Sequence, residues 1–161
     1  MHGQLAGYRQ NTGVAPGFID MLGQSELNIL VAPSLPSKIY QGITTPHPHP
    51  RACGTFPQII QKYVGQQHVL TLSHAIRKFT SLPAQRMGLT QRGVIKVGMY
   101  ADIVVFDPAR VRDTATYERP NQLAQGMNYV IVNGVPVIAD GKMTYALPGK
   151  VLRGPGYVPG N

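Results

Sequence analysis

Apolar and polar positions follow three successive rhythms along the chain, and each predicts its own elements. The opening stretch is irregular. Residues 1–13 are polar and Gly-rich and read as a loose terminus. Residues 14–20 (VAPGFID) read as a short turn into one buried strand, broken by Gly23. Ser25 is placed to cap a short helix through Glu26, Leu27, Ile29 and Leu30, with Glu26 at its positive end and Pro33 as its stop. Ser37 starts a second helical piece through Ile39 and Tyr40, closed by Gly42. Ile43, Thr44 and Thr45 are β-prone, and residues 46–50 (PHPHP) are rigid, extended and a natural junction.

The second rhythm is helical and runs over residues 56–90. Pro57 suits a helix start, and Ile59, Ile60, Tyr63 and Val64 share one face. Thr71 caps a further helix through Leu72, Ala75, Ile76 and Phe79. Ser81 begins a third, with Pro83 in its first turn and Gly88 just past Met87. From Gly93 the rhythm becomes that of strands. Residues 101–107 (ADIVVFD) are almost continuously apolar until Asp107-Pro108. Residues 109–126 are polar and irregular. Residues 128–132 and 135–139 flank Asn133-Gly134, which supplies the two positive-φ positions of a type I′ hairpin turn. Pro136 marks an edge or a strand start, and Asp140-Gly141 makes another turn. The tail after Pro148 reads as coil with one short pairing at Val151 and Leu152. No internal repeat is present. The fold class expected is α+β: short helices followed by a small β-rich unit centred on residues 101–140.

Composition narrows this picture. The 161 residues are 43% hydrophobic, enough for one core, and 18 Gly with 14 Pro make the chain turn-rich. A complete (β/α)₈ barrel needs at least ~200 residues, so a whole TIM barrel is excluded. No apolar run approaches the ~18 residues of a membrane span, and the first ten residues lack the apolar stretch of a secretory signal. A cytoplasmic protein with no membrane partner is expected. Cys53 is the single cysteine, which excludes an intramolecular disulfide and a Cys-rich zinc finger. The net charge of +8 is concentrated: residues 51–100 carry seven basic groups and no acid, and no carboxylate lies between Glu26 and Asp102.

Three residue groups merit weighing as sites. His47, His49 and Cys53, with His68 or His74, offer donors for a small zinc site; the competing reading is a solvent-facing connector whose prolines make chelation awkward. Cys53 reads more simply as a small buried thiol than as a nucleophile. Ser37-Lys38 resembles a Ser-Lys dyad only by adjacency, and neighbours on a helix do not face each other. Lys62, Arg77, Lys78, Arg86, Arg92 and Lys96 form a candidate basic stripe. No RRM, KH or helix-turn-helix signature accompanies it, so specific nucleic-acid binding is not expected and weak salt-dependent sticking is.

Several stretches resemble one family. Residues 93–107 (GVIKVGMYADIVVFD) resemble the G-x-I-x-x-G-x-x-ADIVVFD signature of the amidohydrolase superfamily, and residues 130–141 resemble the hairpin that follows it. Residues 49–57, 75–89 and 148–156 look like the C-terminal part of N-acyl-D-amino-acid deacylases (D-aminoacylases), so the likeness covers residues 46–156. VAPGFID and residues 37–45 resemble the first barrel strand of that family and the helix and second strand after it. Complete members place most of a TIM barrel between these regions, whereas Thr45 is followed here by Pro46. The resemblance therefore implies an internal deletion. Residues 1–45 are then a remnant of the barrel start, 46–92 a helical remnant of its end, and 93–161 a remnant of the composite β-sandwich.

The family resemblance also implies a chemistry: zinc-dependent hydrolysis of the amide C–N bond of N-acyl-D-amino acids, with an Asp moving protons. Its His-x-His after GFID corresponds to Leu22 and Gln24, and no carboxylate stands shortly before residues 49–51 (HPR). No catalytic, cofactor-binding or metal residue carries over, and no cofactor is expected in this chain. The expected function is that of a truncated amidohydrolase, inactive alone; the alternatives are a hydrolase completed by another chain and a basic binding module. An N-acyl amino acid is a partner only if activity survives. In complete members Ile59, Ile60, Val64, Ile76 and Phe79 would cover barrel strands; here they must pack on the 101–140 hairpins, self-associate or aggregate, and oligomerisation or poor solubility is expected.

Overall fold

The computed structural model describes residues 12–20, 36–46, 55–116, 118–119 and 122–152. They build a five-stranded antiparallel sheet, a two-stranded parallel pair and a set of short helices. No closed barrel forms among the described residues. The strands are β1 (Gly13–Pro16), β2 (Phe18–Asp20), β3 (Ile43–Pro46), β4 (Ile103–Phe106), β5 (Met127–Val132), β6 (Val135–Ala139) and β7 (Lys142–Met143). The large sheet has the order β1-β4-β5-β6-β7, and β2 pairs with β3. The helices are α1 (Pro36–Ile39), α2 (Thr55–Gln58) with its π-helical continuation Ile59–Gln66, α3 (Leu72–Phe79) and α4 (Ser81–Arg86).

VAPGFID is not one strand but two, and Gly17 is the reason. Its N–H donates to Asp102 O at 2.8 Å, the last rung to the large sheet. The next residue, Phe18, donates to Gly42 O at 2.9 Å, the first rung to β3. The chain thus changes sheets within one peptide. A Cβ at residue 17 would collide with the Thr44 side chain, so only glycine lets β3 approach this closely. β1 then runs antiparallel to β4, with Val14 opposite Val105, placing an N-terminal segment in the C-terminal sheet.

Phe18 sits where the layers meet. It packs edge-on against Phe56, Phe79 and Phe106, with centroids 5.6, 5.4 and 6.1 Å away. These are all four phenylalanines of the chain, drawn from β2, α2, α3 and β4. Ile43, Ile60, Ala75, Val104, Val130 and Ile138 complete the buried core around them. These helix faces are therefore covered within the chain: Ile60 and Phe79 are buried, while Ile59, Val64 and Ile76 are half-buried against the same core. They pack there because β2 and the Phe18 ring offer an apolar surface worth roughly 1.5–3 kcal/mol per large side chain.

Local signals hold at most other points. Thr71 accepts from His74 N at 3.2 Å as the cap of α3. Gly42 ends α1 at φ +81°, and Asn133-Gly134 takes φ +50° and +84° in the β5–β6 turn. The helix over 55–66 forms with Pro57 in its first turn, but most of it is π-wound, and Gln67 N reaches Lys62 O at 2.8 Å. Asp140-Gly141 leads into β7, an extra strand, and Thr144 then bonds to Val137 O and Pro136 O. That occupies the edge of β6, so the pairing expected at Val151 and Leu152 does not form. The helix expected from Ser25 and the PHPHP junction lie outside the described residues. No helix among the described residues is long and apolar enough to cross a membrane.

Phe18→Ala removes the ring common to all the layers. Chemical denaturation is expected to show a loss of about 3–5 kcal/mol, and Phe18→Leu a clearly smaller one.

Candidate functional site

In parallel αβ architectures, ligands gather at the carboxyl ends of the strands. Here that place is the end of the β2–β3 pair, where Asp20 closes β2 and Thr45 stands near the end of β3. The register brings Asp20 beside Pro46. Lys38, projected from α1, meets Asp20 there: Lys38 Nζ donates to Asp20 Oδ2 at 2.7 Å, and the two side chains are 6% and 12% exposed. Gln41, Thr44 and Thr45, along the chain from α1 into β3, are buried as well. The short α1 exists because Gly42 lets the chain reverse into β3, and this reversal delivers Lys38 to the strand end.

Chemically, this pair is closed. Its carboxylate is held by a cation of the same chain, and its lysine is committed as an ammonium donor. Lys38 therefore does not act as the base of a dyad with Ser37. A buried ion pair is retained at a desolvation cost, and removing one partner strands the other charge.

A second polar cluster joins the loops around the large sheet. Arg92 donates to Asp102 Oδ2 through Nη1 and to Asn133 Oδ1 through Nη2, the latter at 2.6 Å. Asn133 N donates to Asp102 Oδ1 at 2.9 Å, and Asn133 Nδ2 to Pro148 O at 2.7 Å. The guanidinium also lies 4.4 Å from the Tyr100 ring centroid. Every group in the cluster is engaged, so it ties loops together and presents no reactive atom.

Most of the expected site residues cannot be compared with the fold. Leu22, Gln24, His47, His49 and Cys53 lie outside the described residues. His68 and His74 are both solvent-facing. Among the described residues, no three His, Cys, Asp or Glu side chains converge as a metal requires, so the described donors do not fit the family's metal. Lys62, Arg77, Lys78, Arg86 and Lys96 are exposed, but Arg92 leaves the basic stripe: it is buried, because Asp102 needs a partner at the start of β4. Neither ion pair was read from the sequence. The signal for the second was an acid set at the head of an apolar run, since such a buried charge demands a cation.

Lys38→Met takes the cation away from buried Asp20 and is expected to cost about 3–5 kcal/mol in thermal or urea unfolding; the double variant Asp20→Leu with Lys38→Met recovers most of that loss.

Comparison with known proteins places these elements. The model of the amidohydrolase family matches residues 41–138. N-acyl-D-aspartate deacylase of Alcaligenes xylosoxydans xylosoxydans is 43% identical over 134 residues, which are 82% of this chain and 27% of the relative. A crystal structure of D-aminoacylase superposes with a TM-score of 0.57 at 44% identity, covering 62% of this chain and 21% of that one. N-acyl-D-glutamate deacylase from Bordetella bronchiseptica, solved with zinc and a phosphonate inhibitor, superposes with a TM-score of 0.53 at 36% identity over 66% of this chain and 26% of that one. The chain thus spans about a quarter of the length of the deacylase it matches over 82% of its own.

Proposed function

The chain belongs to the amidohydrolase family, and from that premise we propose that it is a non-catalytic piece of an N-acyl-D-amino-acid deacylase, in which the start of the barrel is joined to its end and to the composite β domain. The observation that carries this reading is that no carboxylate stands shortly before residues 49–51, where the resemblance places the proton-moving Asp. Leu22 and Gln24, which stand where the resemblance places two histidines, support the same conclusion. The five-stranded sheet, completed by β1 across the whole length of the chain, is on this reading what survives of the composite sandwich.

The first alternative is a hydrolase restored by a second polypeptide. The decisive measurement uses the purified chain with N-acetyl-D-aspartate and N-acetyl-D-glutamate, following free amine, together with elemental analysis for zinc. No turnover above buffer and well under one zinc per chain are expected. Turnover abolished by a chelator, with stoichiometric zinc, would overturn the proposal.

Exposed Lys62, Arg77, Lys78 and Arg86 favour a second property, weak attraction to polyanions. Binding to a duplex of random sequence is expected to fall by orders of magnitude between about 50 and 200 mM salt, as counterion release dictates. Affinity that persists at the higher salt would mark a specific site instead.

A further inference from the structure

The free edge of β1 and the groove beside it have a recognition chemistry that hydrolysis does not use. Among the described residues β1 is the outermost strand of the large sheet, and it runs against β4 without a bulge. Its bonding parity follows from one contact. Gly17 N donates to Asp102 O, so residues of the same parity, Gly13 and Ala15, direct their N–H and C=O groups at β4. Val14 and Pro16 direct theirs away from it, toward the open side. Pro16 has no N–H to lose there, which suits an edge. Val14 is 59% exposed.

Along this edge lies a groove of about 700 Å³ lined by all four β1 residues, by Leu72 and Ile76 of α3, and by Val94 and Ile95 after Gly93. Val94 and Ile95 are 40% and 54% exposed, an apolar wall left facing water. Among the described residues Arg77 is the one charged residue of the lining, and no acid stands in it.

We propose that this edge and groove form a strand-addition site for an extended, acidic and apolar segment of a partner polypeptide. The partner's backbone pairs with Val14 N–H and C=O and with Pro16 C=O. Its alternate side chains enter the apolar groove, and a carboxylate meets Arg77. Strand addition supplies affinity through main-chain bonds and selectivity through alternate side chains. Charge selects this occupant over a second copy of the chain, which would bring another +8 and a second Arg77 to the same edge. The proposal stands independently of whether the chain hydrolyses anything.

The test uses fluorescence anisotropy with the full chain and a capped, fluorescein-labelled octapeptide alternating valine and threonine, with one central glutamate. Saturable binding is expected. Arg77→Glu, at an exposed position, weakens it at least about tenfold, and so does lysine in place of the peptide's glutamate. Val14→Pro, which removes an N–H that β4 does not use, abolishes it. N-methylation of alternate peptide amides does the same with the unaltered protein, so the test survives if Val14→Pro fails to fold. Absence of saturation overturns the proposal, as does equal binding of the glutamate and lysine peptides. Sedimentation velocity showing a dimer that Val14→Pro or Arg77→Glu dissociates also overturns it, since the edge then belongs to a second copy.

Discussion

The close approach of β3 to Gly17 is the constraint on which the rest of the architecture depends. Because no side chain separates residue 17 from Thr44, the chain can leave the large sheet and join the parallel pair in one step. That step sets Phe18 between the two sheets, where its ring meets the other three phenylalanines of the protein. Aromatic pairs of this kind contribute about 0.5–1.5 kcal/mol each beyond the area they bury. The helices α2 and α3 find their cover in this cluster.

Two buried ion pairs finish what the apolar core begins. Lys38 fastens α1 to the end of β2, and Arg92 fastens the loop before β4 to the β5–β6 turn and, through Asn133, to Pro148. Neither is a cheap source of stability, because each charge is taken out of water. What both provide is a unique arrangement: a shifted loop or strand would strand a charge. The same property makes them chemically quiet. Asp20, at the end of β2, is already engaged by Lys38 of the same chain.

Much of the fold is legible in local signals. Asn133-Gly134 announces its hairpin through positive φ, Thr71 its helix through a side-chain acceptor, and Gly42 the end of α1. Those signals are short-range and act through the residue itself. VAPGFID was harder, because its division into β1 and β2 is caused by Thr44, more than twenty residues away. β7 is hidden from the sequence for a similar reason: Lys142 and Met143 have no strand pattern of their own and are held by the edge of β6. At the candidate site, Leu22 and Gln24 could be read at once, since the side chains themselves decide whether a ligand is present. The Asp20–Lys38 pair could not, because its partners are brought together only by the reversal at Gly42.

The pairing of Val14 with Val105 spans about ninety residues, and this has a consequence for biosynthesis. A chain growing at roughly 5–20 residues per second emerges N-terminus first. β1 therefore leaves the ribosome several seconds before β4 exists to receive it, and Phe18 waits equally long for Phe106. Closing so long a loop is entropically slow, as non-local pairing generally is. The nascent polypeptide must carry an uncovered apolar strand throughout that interval, which makes this protein a natural client for whatever chaperone meets it at the exit tunnel.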